Sequence, residues 1–232
     1  SGNAQSRCMH LREHIWRSNL RVDPRRQLPK MYHNYASSNV WASQLLVLDQ
    51  DLQRMPAMDR GNVIKLVKRH AATVPWHPYT QGHLYLIHTM AHVLRDELSL
   101  YWGYRRICRL LHPFGPDTAY ETHVVPDYVY AILPFDVDRE VFDVVLRFRW
   151  LYIMYGQTFT TTSGLCAIWD YILPQFANIY RVGAALLAHS LAHEVCTDQC
   201  SLERLSAIAS IRIHSDAVVA EIIAYAQAIV IS

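Results

Sequence analysis

An all-α protein is expected from three features of this sequence. Apolar residues recur at three- and four-residue intervals in one segment after another, which is the period of a helix with one buried face. Only 8 of the 232 residues are glycine, and the prolines fall between the periodic stretches, so long helices joined by short connections are favoured. No segment alternates apolar and polar residues as a half-buried strand does. With 51% hydrophobic residues, the chain can bury a substantial core in one large domain or in two packed halves.

Taken in order, the first helix is predicted over Met9 to Asn19, with Leu11, Ile15 and Trp16 on one stripe and Arg and Glu opposite. The proline-bearing VDPRRQLP stretch follows as a loop. From Asn39, capped by Ser38 or Asn39, a helix places Trp41, Leu45, Leu48 and Leu52 on one face. It stops before Pro56, because proline disfavours helical geometry in its predecessor. A helix is predicted from Asn62 to Ala72, with Val63, Ile64 and Val67 inward, and PWHP then makes a turn. Gln81 to Leu98 reads as one long amphipathic helix on Leu84, Ile87, Ala91, Leu94 and Leu98, and Tyr101 to His112 as the next. The VVPDYVYAILP segment holds at most a short helix. Asp136 to Tyr155 is predicted helical, its acidic first turn suited to the positive end of the helix dipole. After the polar GQTFTTTSG loop come helices over Leu165 to Leu173, Tyr180 to Cys196, Leu202 to Ile213 with Ser201 as cap, and Ala217 to Ile231 after Asp216.

Composition excludes several classes of function. A net charge of +2 and the lack of basic residues interleaved with aromatics argue against nucleic acid. The local cluster Arg21, Arg25, Arg26 and Lys30 reads as a solvated loop. No apolar run is long enough for a membrane span. Five scattered cysteines, Cys8, Cys108, Cys166, Cys196 and Cys200, do not read as a disulfide framework, and a reducing cytoplasm is the simpler setting. Ser1-Gly2 has the character of a tag-cleavage scar, and the apolar helical pattern at the C-terminus that of a domain within a longer protein.

Two short stretches carry the chemistry. In Leu48-Asp49-Gln50-Asp51-Leu52-Gln53-Arg54, Asp51 and Arg54 stand at i and i+3, where a carboxylate holds a guanidinium, and both are expected on the polar side of the helix. Arg54 lies at the helix end, before Pro56, placed to project outward. In Tyr79-Thr80-Gln81-Gly82, Gln81 is expected at a helix start with its side chain exposed, and Gly82 beside it lacks bulk that would hinder an approaching molecule. Each stretch also has a plain reading: an intrahelical ion pair in the first case, a capped helix start in the second.

Together, LxxDxxR followed by YxQG resembles the catalytic signature of the TBC domain, the family of Rab GTPase-activating proteins, where IxxDxxR supplies an arginine finger and YxQ a glutamine finger. Leu48 takes the isoleucine place; Asp51, Arg54, Tyr79 and Gln81 match. Leu11-Arg12 with Ile15-Trp16 resembles the opening pattern of that domain, Arg149-Trp150 to Phe159 a later segment, and Leu165 to Asp170 its tryptophan-aspartate helix. Three departures stand out: only Met55 separates Arg54 from Pro56, Thr80 replaces the usual cysteine, and the AMDRGN connection to the next helix is short.

The resemblance implies a TBC domain over residues 3–232, made of two helical subdomains in a V. The finger motifs lie in the first half, about 3–134, and the second half covers about 135–232. It implies an activator acting in trans on a Rab-type small GTPase in vesicle traffic, not a GTP hydrolase itself. Arg54 and Gln81 would be the catalytic fingers, with Asp51, Tyr79 and Gly82 in support. GTP and Mg2+ would be carried by the partner GTPase, and no GxxxxGK[ST] loop occurs for nucleotide binding by this chain. The implied location is cytoplasmic, with peripheral recruitment to endomembranes through other regions. The alternative is a catalytically inactive TBC-like scaffold that binds a GTPase or another partner.

Other groupings weigh less. His189, His193, Cys196 and Cys200 follow one helical pattern and include zinc-ligand types, but a straight helix offers one ion only neighbouring pairs. No metal site is therefore expected. His88 and His92 are expected near the surface, His83 beside Gly82 against a partner, and Trp76 in the loop before Gln81. Trp102, Trp150 and Trp169 read as core. Asp170 reads as a structural carboxylate, and Ser163-Gly164 lacks a nucleophile frame.

Overall fold

A computed structural model describes residues 2–23, 25–28, 39–55, 59–74, 79–115, 125–193 and 200–229. Among these the fold is all-α, with eleven α-helices and a single isolated bridge between Phe159 and Ile213. The chain divides into two compact units, Ser1–Leu110 and Leu111–Ser232. None of the described helices is long and apolar enough to cross a membrane.

The first unit contains α1 (Gly2–Asn19), α2 (Asn39–Arg54), α3 (Arg60–Thr73), α4 (His83–Val93) and α5, which runs Glu97–Leu111 to the boundary. Its centre is α4. Leu84, Leu86, Ile87 and Met90 are all at 0% exposure, each contributing roughly 1.5–3 kcal/mol through burial. The helices α1 and α2 pack on α4, and α2 also packs on α3. Asp59 caps α3 by accepting from the Asn62 amide at 3.1 Å.

Two expectations are corrected here. The buried residues are Trp16 on α1 and Leu20 just after it, whereas Leu11 and Ile15 are 62% and 41% exposed. The indole of Trp16 therefore sets the inward face. The long helix expected from Gln81 to Leu98 is two helices. Leu94 leaves helical geometry with ψ 94°, and Asp96 starts α5 by accepting from the Ser99 amide at 2.8 Å. Arg17 of α1 reaches the same carboxylate and ties the junction to the first helix.

The second unit contains α6 (Asp127–Tyr130), α7 (Arg139–Leu146), α8 (Thr162–Ile172), α9 (Asn178–Ala192), α10 (Ser201–Ala209) and α11 (Asp216–Ala228). The expected helix from Asp136 to Tyr155 ends early. After α7 the turns widen over Arg147–Leu151, where Tyr152 and Tyr155 amides donate to the Arg147 and Trp150 carbonyls five residues back. Positive φ at Met154 and Tyr155 then ends the helical path. Trp150 and Trp169 are core as expected, each donating its indole N–H at 3.1 Å, to Ala209 and Met154 carbonyls respectively. Thr161 caps α8, and Cys200 rather than Ser201 holds the cap position of α10. The helix α11 packs on α8 and α9.

Candidate functional site

Three polar groups converge in the first unit, all on one side chain. Asp51 lies on α2, one turn from Leu48 and beside Leu52, and its residue is only 5% exposed. The expectation that it sits on the polar face is thus corrected. A buried carboxylate is tolerated where donors surround it, and they do. The Tyr79 hydroxyl donates to Oδ2 at 2.7 Å, and the Gly82 amide donates to the same oxygen at 3.1 Å. Arg54 donates to Oδ1 at 3.3 Å. One carboxylate therefore binds both sequence stretches.

Tyr79 is 4% exposed, and burial, then the nearby Asp51 charge and their hydrogen bond, raise its pKa far above the usual range of a phenol. It stays protonated and donates. Its backbone amide donates at 3.3 Å to the side-chain oxygen of Gln44, itself buried on α2 two turns before Asp51.

The next residues form a tight turn. The His83 amide donates to the Thr80 carbonyl at 3.1 Å, closing a four-residue loop. Gly82 is its third residue, with φ 94° and ψ −17°. That is the left-handed conformation a type II turn demands at this place, and the one that favours glycine. Gly82 is itself buried, so its role is this backbone geometry and its bond to Asp51, not an open approach beside Gln81.

The residues expected to act are the ones left outward. The Arg54 side chain is 58% exposed although its guanidinium contacts Asp51, and Gln81 is exposed at the turn. Arg54 is bonded to Asp51 directly, and Gln81 is one residue from the amide that Asp51 also holds. The arrangement presents a guanidinium fork and a carboxamide from one buried anchor. Pro56 and Trp76 lie outside the described residues.

His83 corrects a further expectation. It is 0% exposed, so it faces the core and not a partner. Its Nδ1 shares a 2.9 Å hydrogen bond with the Tyr104 hydroxyl of α5, and its ring meets Tyr79 edge-on, with centroids 5.8 Å apart. Sequence reasoning missed Gln44 and Tyr104 as parts of this arrangement, and turned His83 outward instead of toward Tyr104. For Gln44 a signal existed: a polar residue in register with the apolar stripe of α2. His83 and Tyr104 gave none, because only the tertiary fold brings them together.

The histidine-cysteine pattern of the second unit does not stay on one helix. The helix α9 ends at Ala192, and Cys200 stands before α10, while Cys196 lies outside the described residues. Among the described residues no three His, Cys, Asp or Glu side chains are grouped as metal ligands. Cys8 and Cys200 are exposed, and Cys108 and Cys166 are buried; burial pushes the Cys108 thiol up to about 12. Arg21, Arg25 and Arg26 are exposed, with the Arg26 guanidinium 4.8 Å from the Trp102 ring centroid.

No protein-family model matches this chain, and no curated protein sequence matches it.

Proposed function

We propose that this chain is a TBC-type GTPase-activating domain that completes the active centre of a Rab-type small GTPase. The observation that carries the reading is the shared carboxylate of Asp51, which bonds to Arg54 at 3.3 Å and to the amide beside Gln81 at 3.1 Å. An exposed arginine bonded to one buried carboxylate, and an exposed glutamine next to an amide bonded to the same group, suit a protein that lends groups to another molecule's reaction.

Hydrolysis of GTP by a small GTPase is slow because the charge on the transferring phosphoryl and the attacking water are poorly organised. Arg54 inserts its planar guanidinium between phosphate oxygens, where a lysine ammonium would act only as a point charge. Such a finger is worth about 10³–10⁵ in rate. The Gln81 carboxamide accepts from the attacking water and donates to the phosphoryl oxygen, fixing the line of attack. Asp51 aims Arg54, and Tyr79 fixes the backbone ahead of Gln81 without touching nucleotide. GTP and Mg2+ arrive with the partner GTPase. In a cell, the protein would then switch off Rab signalling in vesicle traffic from the cytoplasmic side of endomembranes.

Single-turnover GTP hydrolysis across a panel of Rab proteins tests this. Wild-type protein accelerates at least one of them; Arg54→Ala lowers that acceleration by about 10³ or more and Gln81→Ala lowers it strongly, while both variants keep the fold, Arg54→Ala with a lower unfolding midpoint because the buried Asp51 loses one of its donors. Equal acceleration by wild type and both variants removes the assignment of the fingers.

A further inference from the structure

We infer that His83, held by Tyr104, is a positioning residue that fixes the direction of Gln81. The inference rests on the activator reading and adds to it a role that neither finger motif contains.

Gln81 occupies the second position of the Thr80–His83 turn, the corner that faces solvent. Its direction is set by what clamps the two ends. The upstream end is clamped at Tyr79, by Asp51 through the hydroxyl and by Gln44 through the amide. The downstream end is His83, the first residue of α4. A column of rings fixes it. His70 of α3 meets Tyr104 edge-on with centroids 4.9 Å apart, Tyr104 meets His83 at 5.9 Å, and His83 meets Tyr79 at 5.8 Å. Two helices, α3 and α5, thus support this end of the turn.

Packing alone does not call for a histidine here. An apolar side chain would fill the same volume with no polar atom to desolvate. The imidazole adds a directional bond, His83 Nδ1 to Tyr104 Oη at 2.9 Å, which fixes rotation about the side-chain torsions. With the ring locked, the backbone at His83 is locked, and with it the amide that closes the turn over Gln81. A carboxamide that must orient one water tolerates little error; a misplacement of about 1 Å costs on the order of 10²-fold in rate.

The test uses Tyr104→Phe, which removes only the hydroxyl, and His83→Asn, whose amide places a polar atom near the position of Nδ1. Amide hydrogen exchange at Gly82 and His83 is measured together with kcat and KM for stimulated GTP hydrolysis, in wild-type and Gln81→Ala backgrounds. In Tyr104→Phe, exchange at Gly82 and His83 is expected to speed up about tenfold while the α3 amides of Leu66 and Val67 keep their protection. The value of kcat falls about tenfold at unchanged KM. His83→Asn retains most of the wild-type kcat, and His83→Leu does not. In the Gln81→Ala background Tyr104→Phe has no further effect.

Unchanged exchange at the turn overturns the inference, as does exchange that accelerates equally in α3, which marks general loosening. An additive loss in the Gln81→Ala background overturns it too. If the wild-type protein stimulates no GTPase, the activator reading falls by itself, and the exchange result alone decides whether His83 and Tyr104 hold the turn.

Discussion

A buried carboxylate survives only where donors meet it, and Asp51 has three: a phenol, a backbone amide and a guanidinium. Their geometries separate two roles by substitution. Asp51→Ala leaves the buried Tyr79 hydroxyl and Gly82 amide without their acceptor, and is expected to destabilise the first unit by about 1–3 kcal/mol. Asp51→Asn keeps its one acceptor oxygen for those two donors but turns its NH2 group, a donor, toward Arg54. Its unfolding midpoint is expected to stay close to wild type while stimulated hydrolysis falls about tenfold to a hundredfold, the equivalent of one charge-assisted hydrogen bond of roughly 1.5–3 kcal/mol. Chemical denaturation and single-turnover kinetics on both variants check this. At this scale the sequence was partly legible. The spacing of Asp51 and Arg54 announced their contact, since residues three apart on a helix are neighbours. It did not announce that Asp51 is buried, because its donors Tyr79 and Gly82 come from another element.

Among the elements, α2 and α3 were legible because an amphipathic period and a terminal break at each end define them. The break between α4 and α5 was not. The apolar pattern runs on through Leu94 and Leu98, and the interruption depends on Asp96 acting as a cap instead of a solvated helical residue. Local pattern does not decide between those uses; Arg17, far away in the chain, favours one of them. Asp96 offers a direct check. Burial acts to raise its pKa, but the Ser99 hydrogen bonds and the Arg17 guanidinium outweigh it and hold the carboxyl below its usual 3.8. Its contribution to stability is therefore present above pH 3.8 and is lost as the pH falls through the lower folded value. Asp96→Ala is expected to cost about 1 kcal/mol at neutral pH, as losing a helix cap does. Thermal melts should show the gap between wild type and variant narrowing below about pH 3.8, the unfolded carboxyl's usual value. A gap that persists unchanged into strong acid contradicts this role. The end of the helical path beyond α7 was equally hidden, since positive φ at Met154 and Tyr155 has no glycine to signal it.

For the whole molecule, the all-α class followed from periodicity and the scarcity of glycine, features that sum over many segments and so survive local errors. The compact units meet at Leu110 and Leu111, inside the last turn of α5, upstream of the sequence-based division near Pro134. No composition shift marks that place, because a unit boundary is set by which helices pack together and not by the residues at the seam. The candidate site belongs to the first unit alone, and its parts come from α2, the turn before α4, and α5. What the sequence could carry was the identity of the outward residues. What it could not carry was the buried support beneath them, in which Gln44, His83 and Tyr104 have meaning only as neighbours.

The central claim is that Arg54 and Gln81 enter a partner's phosphoryl-transfer site, and trapping that state tests it most directly. A Rab that responds in hydrolysis is loaded with GDP and mixed with this protein, with and without aluminium fluoride, whose complex with GDP imitates the transferring phosphoryl. Size-exclusion chromatography then reads complex formation. The account predicts a stable complex only when aluminium fluoride is present, and its loss in Arg54→Ala and Gln81→Ala. A complex that forms equally well without fluoride, or that both variants leave intact, would show a binding scaffold and contradict a role for these two side chains in the reaction.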